Sequence, residues 1–316
     1  MQTINAFLKL VEIRTKVASM FPLLLGTLMA YHEVHQIDSI NLMFMFVSLL
    51  CIDLTTTGLN HYFDYKRAYL KSGYHYDAHN PVSSGEFSPG KALTLLIILA
   101  CVGIITGIGL VYRTDFIVLL FGAMAFVVGV GYSTGPLPLS RTILGEFFSG
   151  LFMGALIPFL AFYIHLPVNY LGTFTAYPES ISGVIHIVRL APLLFASLPM
   201  VFLIGNIMLA NNICDMEEDI VNKRYTLPIS IGKLNSLRLY QINVAAAYFI
   251  VIMSVLLNIM PIGYMLTLIV SPLIYKQTQR FVSNPQKSVT FKLAVKNFIF
   301  FSSASLTGLY VTYVWL

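Results

Sequence analysis

The sequence predicts an all-α polytopic membrane protein with nine transmembrane helices around a central cavity. Three observations support this fold class. The 316 residues are 57% hydrophobic and only 10% charged, whereas soluble domains carry about 25% charged residues. The mean hydropathy is +0.78. The third observation is that the basic residues accumulate in alternate loops between the apolar runs.

Nine apolar runs mark the predicted helices, and each is close to the length of about 20 residues that a membrane span needs. They are residues 15–36, 39–63, 91–112, 115–134, 142–165, 188–214, 237–257, 260–276 and 296–315. The eighth run is the least regular, because Pro261, Gly263 and Pro272 interrupt it. We expect one domain over residues 1–316. Two long polar loops, at about 64–90 and 215–236, are expected to cap the cavity on the cytoplasmic side, since loops of this length are usually functional or disordered.

The basic residues predict the orientation. Of the 19 Lys and Arg residues, all but Arg113 and Arg189 lie in the N-terminal segment or in the loops after the second, fourth, sixth and eighth runs. Lys and Arg accumulate on the cytoplasmic side of membrane proteins. We therefore predict a protein of the cell membrane with a cytoplasmic N-terminus. The same rule explains the net charge of +5 by the lipid bilayer, without a nucleic-acid partner.

The sixth run ends in a cluster of acids. Asp215 and Asp219 are four residues apart, so on a helix their carboxylates share one face. Acids at a helix C-terminus oppose the helix dipole, which argues against a merely solvated helix end. Two carboxylates this close call for a cation, and Mg²⁺ is typically held by one or two carboxylates together with substrate phosphates. The sequence therefore predicts metal-binding and catalytic roles for Asp215 and Asp219, with Asn211 and Asn212 as neighbouring binding residues.

The second run carries a polar stripe. Asp53, Asn60 and Asp64 are spaced by seven and four residues and share one helix face with Thr57. Such a stripe is costly in a membrane span and should face a cavity or a partner helix. Helix–helix hydrogen bonding by Asn and Thr is the alternative. We predict catalytic roles for Asp53, Asn60 and Asp64, and both Asn60 and Asp64 as metal ligands.

Basic and aromatic side chains flank the two clusters. The basic ones are candidates for phosphate contacts, although positive-inside anchoring explains them equally well. Tyrosine rings near the predicted cytoplasmic ends could stabilise a carbocation through their π faces, although interfacial belts also favour tyrosine. The candidate binding residues are Lys66, Arg67, Lys223, Arg224, Tyr62, Tyr65 and Tyr132.

With these residues, the chain resembles the UbiA superfamily of intramembrane aromatic prenyltransferases. That family has nine transmembrane helices, with one Asp-rich motif on helix 2 and another on helix 6, facing each other across a cavity. Its Asn-xxx-Asp-xxx-Asp motif is matched by Asn60 and Asp64, with Ala68 at the third position. Its Asp-xxx-Asp motif is matched fully by Asp215 and Asp219.

Finer features resemble the 1,4-dihydroxy-2-naphthoate prenyltransferase branch. They include the residues around Asn60, the turn at 135–139 with the following Glu146, and residues 211–227. His61 departs from the branch, which usually has Asp there. Asp53 and Thr57 replace amide side chains. Asp77 is a candidate for the missing third acid of the first motif.

The resemblance implies Mg²⁺-dependent transfer of a polyprenyl chain from polyprenyl diphosphate to an aromatic acceptor. For 1,4-dihydroxy-2-naphthoate, the transfer would accompany loss of CO₂ and give a demethylmenaquinol for menaquinone biosynthesis. Asp53 would orient an acceptor hydroxyl or accept its proton. Two alternatives remain at this point. One is another branch with a hydroxybenzoate or chlorin-type acceptor, and the other is an ion-coupled transporter, since intramembrane acids also mark ion paths.

Overall fold

The computed structural model describes residues 2–67, 80–135, 138–177 and 180–315. Helices dominate the first half of the chain. Its elements are α1 (Gln2–Leu10), a 3₁₀ turn (Ile13–Thr15), α2 (Val17–Val34), α3 (Ser39–Arg67), α4 (Pro89–Arg113), α5 (Phe116–Ser133), a 3₁₀ turn (Leu139–Arg141), α6 (Gly145–Leu151), a π-helical segment (Phe152–Leu156) and α7 (Ile157–Tyr163).

The second half begins with an antiparallel hairpin in which Gly172 pairs with Ile185. The sequence did not lead us to expect this hairpin. The elements of the second half are, in chain order, β1 (Gly172–Tyr177), β2 (Ser180–Ile185), α8 (Ile187–Cys214), α9 (Met216–Val221), α10 (Leu227–Ile231), α11 (Lys233–Leu256), a 3₁₀ helix (Ile262–Val270), α12 (Ser271–Ser283) and α13 (Phe291–Trp315).

Eight helical segments in the described part of the chain are long and apolar enough to cross a membrane. The all-α membrane architecture is therefore confirmed, whereas the count of nine is not. The difference lies in the eighth predicted run, which forms the 3₁₀ helix Ile262–Val270 followed by α12. Gly263 lies so close to α13 that a Cβ there would come within 2.4 Å of the Gly308 carbonyl oxygen. This segment packs by backbone contact and does not form one continuous apolar α-helix.

Helix α8 lies at the centre of the fold. A Cβ on Gly150 or Gly154 would come within 2.5 Å of backbone atoms of Val201 on α8. These two glycines therefore let the α6 and π-helical segment approach α8 closely. The other side of α8 packs on α11 and α13 through buried apolar residues such as Met200, Leu203 and Phe301. The contact with α6 sets the end of α8 beside the loop before α6.

The N-terminal helix α1 packs on the segment that leads into α4. Ala6 and Leu10 are buried against Val82, Phe87 and Ala92. The Lys9 ammonium lies 2.8 Å from the Glu86 carboxylate across the same contact. This packing fixes the turn between α1 and α2, which brings Glu12 and Lys16 to α3.

Candidate active site

The polar stripe on α3 faces a cavity, as the spacing predicts. Asp53, Thr57 and Asn60 all line it. Asp53 forms an ion pair of 2.7 Å with Lys16, and its other carboxylate oxygen accepts a hydrogen bond of 2.6 Å from the Ser19 hydroxyl. Lys16 precedes α2, so the first spanning helix and α3 meet at this buried pair.

Asp64 lies one turn beyond Asn60, near the end of α3. One of its carboxylate oxygens lies 3.2 Å from Nη2 of Arg141, and the other lies 3.3 Å from Nη1 of Arg224. Arg141 belongs to the 3₁₀ turn before α6, and Arg224 follows α9. The α3 carboxylate thus faces two arginines that come from different loops.

The second acid cluster follows the end of α8. Asp215 terminates this helix with non-helical backbone angles, but the amide of Asp219 still donates to its carbonyl over 2.8 Å. The four-residue relation between the two acids is therefore retained. Lys287, in the loop before α13, lies 2.5 Å from the Asp215 carboxylate and also donates to the Asn211 side chain.

Arg224 joins the two clusters. Its Nε lies 3.2 Å from Asp219, while Nη1 contacts Asp64. Asp219 is only 2% exposed and also accepts a hydrogen bond of 3.3 Å from the Thr226 hydroxyl. Two carboxylates that are far apart in the sequence therefore converge on one guanidinium group.

The acids after α8 hold protons more tightly than usual. Burial raises the pKa of Asp219; Arg224 lowers it and the charges of Asp215 and Asp64 raise it, so that it reaches about 6. Burial and the charge of Asp215 raise the pKa of Glu218 to about 7. Burial opposes the charge of Arg224, but Asp64, Asp219 and Asp215 together raise its pKa. Burial, together with the repulsion between neighbouring carboxylates, thus favours the protonated forms of Asp219 and Glu218.

A cavity of about 280 Å³ adjoins the two acid clusters. Its polar rim includes Glu12, Asn60 and Asn211. Its wall is mostly apolar and aromatic. Residues of that wall are Leu49, Ile52, Val128, Tyr132, Phe148, Phe152, Met153, Ile157, Ile204, Ile207 and Met208. An elongated apolar group could lie here with its polar head among the charged side chains at the rim.

A family comparison identifies this arrangement. A model described as the UbiA prenyltransferase family matches residues 19–304. The chain belongs to this family. A relative, the 1,4-dihydroxy-2-naphthoate octaprenyltransferase of Bacillus subtilis (strain 168), is 30% identical over 238 residues, which are 75% of this chain and 70% of the relative. The protein is thus a prenyltransferase, and this relative supports the resemblance to the dihydroxynaphthoate branch.

Solved structures share the prenyltransferase fold. A UbiA homologue from Aeropyrum pernix K1 has a TM-score of 0.65 at 13% identity, with 92% of this chain and 97% of that chain covered. A homologue from Archaeoglobus fulgidus, solved with DMAPP and Mg²⁺, has a TM-score of 0.58 at 15% identity, covering 96% and 99% of the two chains. A digeranylgeranylglyceryl phosphate synthase has a TM-score of 0.63 at 17% identity and is matched over the full length of both chains. At these identities, the matches establish the fold of the prenyltransferase.

Several residues that were predicted to bind substrate make other contacts in this prenyltransferase. Arg67 donates to the carbonyls of Ser133 and Gly135, and so holds the end of α5. Lys66 is exposed and lies over the Tyr62 ring. Tyr65 packs in the α1 contact. Neither Tyr62 nor Tyr65 is among the cavity-lining residues of the described chain, whereas Tyr132 is.

Two further residues that were predicted to bind substrate, Asn212 and Lys223, are not among the cavity-lining residues of the described chain. Asn212 is buried and donates over 2.8 Å to the Glu146 carboxylate. Lys223 is exposed just after α9, with a positive φ of 53°. Ala68 and Asp77, which bear on the third acid of the first motif, lie outside the described residues. The roles of all these residues remain predictions.

Sequence reasoning missed four charged residues at the site. Arg141 and Lys287 entered only the count of basic residues, because a single cation in a loop has no spacing that marks a role. Glu12 lies 3.1 Å from His61 and lines the cavity, and Lys16 pairs with Asp53. The contact between the Glu12 carboxylate and the His61 ring gives a structural reason for the histidine at this departure from the branch pattern.

The donor set fits a hard divalent cation in kind. No three His, Cys, Asp or Glu side chains come together among the described residues. The polar groups at the rim nevertheless offer oxygen donors of the type that Mg²⁺ prefers. These are the side chains of Asn60, Asp64, Asn211, Asp215 and Asp219, and their carboxylates are at present neutralised by Arg141, Arg224 and Lys287.

The raised pKa of Glu218 predicts a pH-dependent stability. Because its folded-state pKa of about 7 lies above the ordinary pKa of 4.5 for a glutamate, its contribution to stability is lost as pH rises through this window. We expect Glu218→Gln to stabilise the protein in chelator at pH 8 by roughly 1–2 kcal/mol, discounted for partial exposure, and to have little effect at pH 4.5. Thermal melting at both values tests this. Glu217 is the exposed neighbour, so Glu217→Gln is the control. An equal increase in melting temperature at pH 8 in both variants would contradict the prediction.

Proposed function

We propose that this prenyltransferase transfers a polyprenyl chain from polyprenyl diphosphate to 1,4-dihydroxy-2-naphthoate, giving a demethylmenaquinol. The observation that supports this most directly is the convergence of Asp64 and Asp219 on Arg224 at the rim of an apolar cavity. The similarity to the Bacillus subtilis octaprenyltransferase favours the naphthoate acceptor. In this proposal, the cavity holds the prenyl chain near its diphosphate, and the charged rim holds the diphosphate.

The rim residues divide into two groups. Asn60, Asp64, Asp215 and Asp219 would hold Mg²⁺, which would supply positive charge to stabilise the diphosphate leaving group. Arg141, Arg224 and Lys287, which now neutralise the carboxylates, would turn to the diphosphate oxygens. Charge-assisted hydrogen bonds to phosphate are among the stronger polar contacts in proteins. In this proposal, the basic side chains leave the carboxylates and bind the diphosphate when the substrate and Mg²⁺ are present.

The cavity wall controls the chemistry of the prenyl group. The allylic C–O bond breaks, and its electron pair leaves with the diphosphate. The π face of Tyr132 stabilises positive charge on the allylic carbon, while Phe148 and Phe152 help to keep water from the cavity. A ring carbon of the acceptor then supplies the electron pair of the new C–C bond. Loss of the acceptor carboxylate as CO₂ leaves an electron pair that restores the aromatic ring.

The distribution of basic residues supports one membrane orientation. The site lies at the end of α3 and after α8, where the loops carry most of the basic residues, so we place it on the cytoplasmic side with a cytoplasmic N-terminus. The cell membrane supplies the prenyl substrate laterally, and the segments at 80–90 and 215–236 cover the site.

The test is a reaction with purified protein, Mg²⁺, a prenyl diphosphate and a panel of aromatic acids. We expect Mg²⁺-dependent release of pyrophosphate without any ion gradient, and mass spectrometry should detect a prenylated naphthalenediol that has lost CO₂. Prenylation of hydroxybenzoate alone would assign the protein to another branch. Absence of metal-dependent turnover with every acceptor would overturn the proposed function.

A further inference from the structure

Lys16 and Asp53 form a charged pair in the wall of the cavity. Lys16 is 5% exposed, and the Asp53 side chain is 10% exposed. Among the described residues that line the cavity, Glu12 is the only other one with a charged side chain. A buried ion pair gains little net stability, because desolvating both charges offsets their attraction. A cavity wall that only binds a hydrocarbon chain does not require a buried ion pair.

The pair has unused hydrogen-bonding capacity. The Lys16 ammonium donates over 2.6 Å to the Thr57 hydroxyl and over 2.7 Å to Asp53 Oδ1, but its third contact, to the Asp53 carbonyl, is 3.3 Å long. Each Asp53 carboxylate oxygen has one close donor, Lys16 or Ser19. Since a carboxylate oxygen accepts two hydrogen bonds, Asp53 can take one more polar contact from the cavity, and Lys16 can exchange its long contact with the Asp53 carbonyl for a closer acceptor.

The pair also lies at a suitable depth. Asp53 precedes Asn60 by seven residues on α3, which corresponds to roughly 10 Å along the helix axis. Leu49 and Ile52, further down the wall, are apolar. A flat aromatic molecule could therefore lie between the rim and the pair, with the edge that carries its carboxylate and hydroxyl group against Lys16 and Asp53 and the adjoining ring carbon exposed to the prenyl group.

We propose that Lys16 and Asp53 select an aromatic acceptor with a carboxylate next to a hydroxyl group. The acceptor carboxylate accepts a hydrogen bond from the Lys16 ammonium, and the acceptor hydroxyl donates one to Asp53. Asp53, Ser19 and Thr57 position the lysine for this contact. The inference rests on the proposed function, and it adds Lys16 as the residue that determines acceptor specificity.

The competing explanation is structural, namely that Lys16 only neutralises Asp53. Single substitutions do not separate the two explanations, because each would leave an uncompensated buried charge. The double variant Lys16→Met with Asp53→Asn removes both charges at nearly constant volume. The matched control is Arg113→Met with Asp38→Asn, which removes an ion pair of 3.0 Å at the other end of α3.

The experiment compares three acceptors with one prenyl diphosphate and Mg²⁺. They are 1,4-dihydroxy-2-naphthoate, its methyl ester and 1,4-naphthalenediol. For the wild type we expect a kcat/KM for the acid about 10- to 100-fold above that for the ester or the diol, as a hydrogen bond to a charged group provides. The double variant should lose the part of this preference that comes from acceptor binding, so that the Kd values of acid and diol become similar, with an unchanged KM for the prenyl diphosphate. Lys16→Arg and the control pair should retain it.

Equilibrium binding gives a second measurement that does not depend on turnover. Fluorescence titration of the wild type and of Lys16→Arg should show tighter binding of the acid than of the diol. A tighter binding of the acid than of the diol that survives in the double variant, or a wild type that binds both equally, would overturn the role of Lys16. A wild type that releases no pyrophosphate with any acceptor would overturn the proposed function instead. If the double variant does not fold, the binding preference of the wild type alone decides, since equal binding of acid and diol contradicts the proposal.

Discussion

Asp219→Asn should reduce the rate of prenyl transfer roughly a hundred- to a thousandfold, the effect expected when an electrostatic group at the reacting centre is lost. Asp219 is almost fully buried and contacts Arg224 and Thr226. The amide keeps the shape of the side chain but removes the charge that would hold Mg²⁺. Asp64→Asn should behave similarly. The rate is measured as prenylated product formed over time with saturating Mg²⁺.

The control for these variants is Asp38→Asn. Asp38 forms an ion pair with Arg113 at the opposite end of α3, so the same chemical change there should leave the rate close to that of the wild type. Size-exclusion profiles establish that each variant remains folded in detergent. Wild-type-like Mg²⁺-dependent turnover in both Asp219→Asn and Asp64→Asn would exclude the proposed metal ligands.

Arg224→Met should have the second large effect. Without the guanidinium, Asp219 loses its ion-pair partner, and Asp64 retains only Arg141. Leaving a buried charge without its partner costs about 3 kcal/mol, so we expect a lower melting temperature in chelator. Added Mg²⁺ should recover more stability in this variant than in the wild type, because the cation takes the place of the guanidinium between the carboxylates. The KM for prenyl diphosphate should rise about tenfold or more.

Arg238→Met is the matched control, since Arg238 is exposed on α11. It should change neither the melting temperature nor the response to Mg²⁺. The assignment of Arg224 fails if its variant has the same Mg²⁺-induced stabilisation as the wild type together with an unchanged KM for the prenyl diphosphate.

The local part of the site could be predicted from the sequence. The intervals between Asp53, Asn60 and Asp64 set their common face, because helical periodicity alone determines it. The proximity of Asp64 to the α8 cluster is a tertiary contact, and only the family resemblance suggested it. The roles of Arg141 and Lys287 depend on how three loops fold over one rim, and no spacing in the sequence encodes this.

The fold was predictable to a similar degree. Hydropathy and charge identified the membrane-spanning runs, since each depends on composition within one segment. The 3₁₀ helix Ile262–Val270 was not predictable in this way, because it reflects the contact of Gly263 with Gly308 on another helix. Likewise, the position of Arg67 on the carbonyls of Ser133 and Gly135 depends on how α5 ends, not on the residues beside Arg67.

The glycines between α6 and α8 limit how this protein can be redesigned for a longer or bulkier prenyl donor. Gly150 and Gly154 place their backbone against the backbone of Val201. The distance between α8 and the segment of α6 and the π-helical turns is therefore fixed. Substituting either glycine would push these segments apart and shift Glu146 and Asn212, which they carry. Added volume must come from shortening wall side chains such as Phe152 or Met208. The chain-length range of such engineered variants is thus set by side-chain truncation within a rigid frame.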